Sequence, residues 1–344
     1  MVVIKKYEDE NYSVLFNKKT GLLLRIEKKG FNEPEYSKHG PELLDVSITN
    51  WCDKGCNYCY RNSNINGQHM SLENYEFILK QAQECDTFQI ALGGGNPNQH
   101  PNFCEILRLT NKYGIVPSYT TNGRGLNEEI LLASKKYCGA VAVSYGEDDY
   151  FIKGIESLIS KEIKTNIHFI LSNQTIDVAI KWLREKPQFL EKINAIVFLN
   201  YKPVGKLKKY DNLLNISNKI EEFFNLISKN NYSFKIGFDS CTISYIVNFL
   251  KNVSPSSIEK CEAARFSAFI DENLNMYPCS FMVESYQGVN IKESSILNIW
   301  KNSNLFKEFR NFSIPTKCKV CNKSNLCGGG CQIFTEINMN CNQK

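Results

Sequence analysis

Three cysteines within eight residues, Cys52-Asp-Lys-Gly-Cys56-Asn-Tyr-Cys59, are the sharpest chemical feature of this 344-residue chain. Thiolates are the usual ligands of iron–sulfur cubanes and are also common ligands of zinc. Zinc sites are usually built from paired Cys-x2-Cys elements with four protein ligands, and no partner pair lies near this loop in the sequence. Three thiolates suit a cubane in which one iron is left open to a small chelating ligand. A second set of thiols is C-terminal: Cys241, Cys261 and Cys279, then Cys318-x2-Cys321-x5-Cys327-x3-Cys331-x9-Cys341. Spacing alone leaves zinc open there, because Cys-x2-Cys pairs also build zinc ribbons. Cys85, Cys104 and Cys138 are scattered through apolar-rich segments and read as buried structural thiols.

The first cysteine loop starts where an apolar run, Leu43-Leu-Asp-Val-Ser-Ile48, ends. From there short apolar runs at 43–48, 88–92, 116–120, 140–145, 166–171 and 195–200 alternate with helical patterns at 71–85, 102–113, 127–136, 149–161, 175–186 and 212–229. That alternation predicts βα units around a parallel sheet. Six units fall short of a closed eight-unit barrel, so the fold class is α/β, a partial (β/α)6 TIM-like barrel. Ser71 followed by Glu73 and Asn74 predicts a capped start for the first helix. Residues 12–27 predict a β-hairpin closed at Asn17-Lys-Lys-Thr-Gly21. Past about residue 235 the alternation fades into cysteines and Gly328-Gly-Gly330. The expected organisation is an N-terminal hairpin segment at 1–42, a barrel at 43–235 and a cysteine-rich domain at 236–344. Between Cys261 and Cys279 a second hairpin, with a polar turn at 271–275, should bring those two thiols together.

Cys52-x3-Cys56-x2-Cys59, with an aromatic residue before the last cysteine, resembles the radical S-adenosylmethionine (SAM) superfamily. The resemblance implies a [4Fe–4S] cluster whose open iron chelates SAM, whose reductive cleavage gives a 5′-deoxyadenosyl radical. It implies that Tyr58 packs on the adenine. Gly93-Gly94-Gly95-Asn96-Pro97 is similar to the family's Gly-Gly-Glu-Pro segment, which contacts the methionyl amino group; Asn96 stands where glutamate is expected and keeps a carbonyl acceptor without the charge. Tyr119-Thr-Thr-Asn122-Gly123 is similar to the family's Thr-Asn-Gly segment, and Ser144 ends the fourth strand where a polar contact to the cofactor occurs. The C-terminal thiols resemble the SPASM extension of peptide-modifying members. That resemblance implies an outer [4Fe–4S] cluster on Cys318, Cys321, Cys327 and Cys341, and an inner one on Cys261, Cys279 and Cys331 with Cys241 as the fourth candidate.

Composition narrows the functional classes. The first ten residues are charged, and no apolar run is long enough to span a bilayer, so a cytoplasmic protein without a membrane partner is expected. A net charge of +5 is too mild to argue for nucleic acid. The paired cysteine groups point to an enzyme that modifies a ribosomally made peptide by crosslinking, thioether formation, epimerisation or backbone excision, with an external electron donor. The N-terminal 40 residues look short for a leader-binding module, so a separate leader-binding partner is expected. The alternatives are oxidation of a small alcohol or of a protein serine or cysteine, and a non-catalytic iron–sulfur or zinc protein. Spacing does not single out a base among Asp239, Arg265, Asp271, Glu272 and Tyr277.

Overall fold

Alternation of side chains governs the N-terminal segment. In Tyr12–Asn17, the residues Tyr12, Val14 and Phe16 are buried while their neighbours are half-exposed, the period-two pattern of a one-sided sheet. The computed structural model describes residues 2–251, 253–254 and 257–339; Cys341 lies outside the described residues. The expected hairpin is present but belongs to a larger unit. Strand β1 (Val2–Tyr7) pairs antiparallel with β2 (Tyr12–Asn17), which pairs with β3 (Leu23–Glu27). Strand β1 escapes sequence reading because Val-Val-Ile-Lys-Lys-Tyr breaks the alternation with two adjacent lysines. The β2–β3 turn closes through Gly21, whose positive φ of 72° suits glycine.

The six expected parallel strands form as β4 (Leu43–Thr49), β5 (Gln89–Gly94), β6 (Val116–Thr121), β7 (Val141–Ser144), β8 (Thr165–Leu171) and β9 (Ala195–Asn200). Each of the first five is followed by its helix: α1 (Leu72–Glu84), α2 (Phe103–Lys112), α3 (Glu128–Tyr137), α4 (Asp149–Ser160) and α5 (Ile176–Glu185), with α6 (Asn218–Lys229) after β9. Ser71 caps α1 by accepting the Asn74 N–H at 3.1 Å. The pairing does not stop at residue 235. Strand β10 (Lys235–Phe238) adds in parallel beside β9, and α7 (Ile243–Phe249) follows it. Lys235-Ile-Gly-Phe238 has a lysine and a glycine among its four residues, so no apolar run marks it in the sequence.

At the other end of the sheet, β11 (Ser267–Ile270) pairs parallel with β4 and antiparallel with β12 (Asn275–Tyr277), which pairs with β13 (Val289–Asn290). The cysteine-rich segment thus extends the barrel's sheet rather than standing apart. The sheet has ten strands in the order β10-β9-β8-β7-β6-β5-β4-β11-β12-β13, leaving β10 and β13 as unjoined edges of an open barrel.

Outward residues of the strands, such as Leu44, Val46 and Ile48 on β4, are fully buried against the helices, where Tyr75, Ile78 and Leu79 of α1 lie in the same core. Helix α8 (Ile296–Asn302) carries Trp300, fully buried, whose indole N–H donates to Ser37 O at 2.6 Å. This contact ties the C-terminal region to the segment that leads into β4. Replacing Trp300 with Ala should cost about 3–5 kcal/mol, as for other large core aromatics, and lower the midpoint of chemical unfolding.

Candidate functional site

The first cysteine loop has little secondary structure, so its neighbours shape it. Cys52 N–H donates to Asn64 O at 3.0 Å, Gly95 N–H to Thr49 O at 2.7 Å, Asn96 N–H to Trp51 O at 3.1 Å and Lys206 N–H to Cys59 O at 3.1 Å. Gly55 takes a φ of 57°, which turns the chain between the first two thiols. Two glycines are sterically obligatory in the crossing strand: a Cβ on Gly94 would lie 1.9 Å from Thr49 O, and one on Gly95 would lie 1.9 Å from Trp51 O. From below, the Arg61 guanidinium pairs with Glu272 at 2.6 Å, and the Ser47 hydroxyl donates to the same carboxylate at 2.8 Å. Arg61 and Glu272 are both nearly buried, so the turn between β11 and β12 is keyed directly into the cysteine loop.

Cys52, Cys56 and Cys59 open onto a cavity of about 1140 Å³. Its wall also carries Tyr58, Gly93, Gly94, Gly95, Asn122 and Ser144. Gly93 has open space where a side chain would stand, as a cradle for a ligand requires. The thiols already receive N–H donors: Ser63 N–H to Cys59 Sγ at 3.4 Å, and Asn122 Nδ2 to Cys52 Sγ at 3.8 Å. Burial pushes the Cys56 thiol up, partly opposed by the nearby Lys54 ammonium. At the rim, Lys54 and Arg124 both pair with Asp148, at 3.1 and 3.4 Å. Burial works to raise that carboxyl, but the two cations hold it below the usual carboxylate range.

Asn96 is placed differently from the expectation. Its side chain is fully buried and is not among the residues lining the cavity. Its Oδ1 accepts from the Thr121 hydroxyl and from Asn122 N–H, each at 3.1 Å, and its Nδ2 donates to Arg124 O at 3.2 Å. Asn96 therefore clamps the loop after β5 to the loop after β6, and its carbonyl has no capacity aimed at a ligand. An amide serves this clamp better than a carboxylate because it both donates and accepts. Tyr119 is also internal, its hydroxyl hydrogen-bonded to that of Ser134, and Ser172 closes a turn with Thr175.

Three of the C-terminal thiols reach the same cavity. Cys241, Cys261 and Cys279 line it. Cys331 lies in no regular element and is carried back to them because Asn338 grips its backbone, Oδ1 accepting Cys331 N–H at 2.7 Å and Nδ2 donating to Cys331 O at 2.9 Å. The thiols of Cys241 and Cys331 hydrogen-bond to each other, which raises the first and lowers the second. Burial pushes Cys261 up to about 11 and raises Cys279 further, with Cys241 acting on both. Neighbouring thiols without a disulfide fit thiolate ligation, in which a metal would replace the protons. Cys318, Cys321 and Cys327 lie on or beside two short helices, Thr316–Lys319 and Ser324–Cys327, adjacent in the chain.

Several polar residues of the cavity escape the sequence reading. Asp45 and His168 point inward from β4 and β8, and Lys202 follows β9; Asp239, after β10, joins them as the one candidate base of the sequence reading that lines the cavity. The available signal was a titratable residue inside an apolar strand, Leu-Leu-Asp45-Val and Ile-His168-Phe-Ile. Burial raises Asp45 to about 6, helped by Glu262. Burial lowers His168 to about 4, and its Nδ1 shares a 3.2 Å hydrogen bond with the Thr120 hydroxyl. The remaining candidate bases are structural. Asp271 accepts Asn273 and Asn275 N–H at 2.9 and 2.8 Å to shape the turn, Tyr277 reaches that carboxylate, Glu272 holds Arg61, and Arg265 pairs with Glu33.

A profile of the radical SAM superfamily matches residues 46–146, and a profile of the SPASM iron–sulfur cluster-binding domain matches residues 261–322. The chain belongs to the radical SAM superfamily and carries a SPASM domain. It is an enzyme of that superfamily, with [4Fe–4S] clusters and SAM as cofactors. Mycofactocin maturase MftC of Mycobacterium tuberculosis is 20% identical over 322 residues, covering 86% of this chain and 80% of that protein. A probable GTP 3′,8-cyclase of Pyrococcus abyssi is 28% identical over 173 residues, 45% of this chain and 55% of that one. Among solved structures, Streptococcus suis SuiB bound to S-adenosylmethionine superposes with a TM-score of 0.74 at 16% identity, covering 99% of this chain and 98% of that one. The anSMEcpe structure with AdoMet and the Cp18Cys peptide gives 0.61 at 18% identity, covering 87% and 91%. These superpositions establish the fold. Among the described residues, no helix is long and apolar enough to cross a membrane.

Two outcomes test this geometry. Gly95→Ala should displace the Trp51–Cys52 backbone and lower both SAM affinity and iron bound per chain, read by equilibrium binding and iron assay. His168→Gln should blunt acid sensitivity. With a folded value near 4 against an ordinary 6.5, the unfolded chain binds the extra proton in between, so His168 makes stability fall as pH drops through that window. Between pH 6.5 and 5.5 the variant should lose about 1 kcal/mol less stability than the parent, as measured by anaerobic chemical unfolding.

Proposed function

We propose that this enzyme modifies a ribosomally synthesised peptide, with Cys52, Cys56 and Cys59 holding the SAM-binding cluster, Cys241, Cys261, Cys279 and Cys331 the inner auxiliary cluster, and Cys318, Cys321 and Cys327 part of an outer one. The observation that carries this reading is that the first cysteine loop and three of the inner thiols face one cavity of about 1140 Å³. Small-molecule sites commonly occupy roughly 300–1000 Å³, so there is room for SAM together with a segment of polymer. The likeness to a mycofactocin maturase over most of both chains supports a peptide substrate. So does the fold shared with SuiB, which has been solved bound to its precursor peptide SuiA.

When bound, the first cluster supplies an electron that cleaves SAM to methionine and a 5′-deoxyadenosyl radical able to abstract hydrogen from substrate. The protein's own residues position and shield. Gly93 leaves open space for the cofactor beside the backbone, Gly94 and Gly95 let that strand end cross the cysteine loop, Tyr58 offers an aromatic face beside the thiols, and Asn122 and Ser144 present polar groups from the next two strand ends. Asn96 acts one layer behind, holding Thr121 and Asn122 in place. An external electron donor and a separate leader-binding protein complete the proposed system.

A second reading, oxidation of an alcohol, serine or cysteine, has one observation in its favour. Asp45 is a cavity carboxyl raised to about 6, near the value that suits a general base close to neutral pH. Asp45→Asn should leave 5′-deoxyadenosine formation intact and cut modified product at least tenfold if that base is used, as read by chromatography and mass spectrometry together.

Coexpression with its precursor peptide should give a peptide mass change that Cys52→Ala/Cys56→Ala/Cys59→Ala abolishes, along with 5′-deoxyadenosine. Persistence of cofactor cleavage in that triple variant would overturn the assignment. Three cubanes predict about twelve irons per chain, and the triple variant should lose about four.

A further inference from the structure

Lys202, in the loop after β9, has a side chain only 3% exposed. Burying an ammonium is costly unless charge and hydrogen bonds compensate it. Two of its N–H groups are engaged on the barrel side, donating to Asn200 O at 2.9 Å and to Asp239 Oδ2 at 2.9 Å. The Asp239 carboxylate is itself satisfied from behind: its Oδ1 accepts from the Thr242 hydroxyl at 2.7 Å and from Asn200 N–H at 3.2 Å. The Phe281 ring lies 4.4 Å from the ammonium. The arrangement anchors the cation from one side and leaves an N–H for another partner.

Inner thiols flank these anchors: Asn200 Nδ2 donates to Cys241 O at 3.2 Å, Cys241 adjoins the Thr242 that caps Asp239, and Phe281, beside the ammonium, lies two residues past Cys279. Lys202, Cys241 and Cys279 line the same cavity. A fixed positive charge thus stands on the wall that carries the inner ligand set. A cubane on four thiolates is anionic, and reduction adds one more negative charge without a proton. Net charge and hydrogen bonds to sulfur are the main protein levers on its potential.

We propose that Lys202 is a positioning residue for the inner auxiliary cluster, a buried cation anchored by Asn200 and Asp239 that stabilises the reduced cluster and makes it a better electron acceptor on the cavity wall. This rests on the reading in which Cys241, Cys261, Cys279 and Cys331 hold that cluster.

The test uses the full chain, reconstituted anaerobically, with Cys52, Cys56 and Cys59 replaced by alanine so that only auxiliary clusters remain. Dithionite titration followed by electron paramagnetic resonance should show, in Lys202→Met, one auxiliary cluster at least tenfold harder to reduce at fixed potential, about 59 mV lower for one electron, with iron content unchanged. Lys202→Arg should stay near the parent value. Should Lys202→Met lose iron, Lys202→Gln keeps a donor for Asn200 and Asp239 without the charge and should show the same downward shift; loss of iron from both neutral variants with retention in Lys202→Arg would also support the role of the charge. An unchanged potential in an iron-replete neutral variant would overturn the proposal. The ligand reading fails separately: Cys241→Ser leaving iron content and both auxiliary signals unaltered would remove it whatever Lys202 does.

Discussion

The loop from Cys52 to Cys59 cannot hold its own shape, and much of the molecule is arranged around that fact. Eight residues with three thiols and a glycine at positive φ have no helical ladder to satisfy their backbone. The bonds come from outside: Asn64 O takes the Cys52 N–H, Lys206 N–H reaches Cys59 O, and the Gly94–Asn96 crossing lies against Thr49 and Trp51. Because Gly94 and Gly95 approach within the space of a missing Cβ, the two loops behave as one packed unit. Rigidity at the thiols is thus obtained by close backbone contact between consecutive strand ends.

The same constraint explains why the cysteine-rich region is joined to the barrel's sheet. Strand β11 pairs with β4, and the turn that follows it carries Glu272 to Arg61, two residues past Cys59. A nearly buried ion pair adds little net stability against an apolar alternative, but it is strongly directional and costly to break on one side. Here that directionality sets the distance between the auxiliary thiols and the first loop. Loop 201–206 does the same from another side, where Gly205 leaves just enough room for Cys59 O and Tyr60.

Inside the barrel the polar residues divide by what satisfies them. Asp271, Tyr277, Glu272 and Arg265 are consumed by turns and ion pairs. Asp239 and Lys202 satisfy one another between the barrel and the auxiliary thiols. Asp45 and His168 face the cavity with values displaced toward their neutral forms, which leaves the imidazole uncharged near neutral pH and the carboxylate easier to protonate than usual.

The sequence by itself determined the chemistry and most of the architecture. Cysteine spacing is local, so the first loop is legible from eight residues; strands β4–β9 and helices α1–α6 are legible because short apolar runs alternate with helical patterns along the chain. What only the tertiary structure decided was convergence. Cys241 and Cys331 are far apart in the chain and meet because Asn338 turns the C-terminal segment back onto α7 and the end of β9. Asn96 reads in sequence as a ligand contact, yet the fold spends its carbonyl on Thr121 and Asn122, since which way a side chain faces at a strand end depends on the neighbouring loop. Asp45 and His168 became site residues, and β10 a barrel strand, for the same physical reason: the inside of a barrel exists only once distant strands have paired.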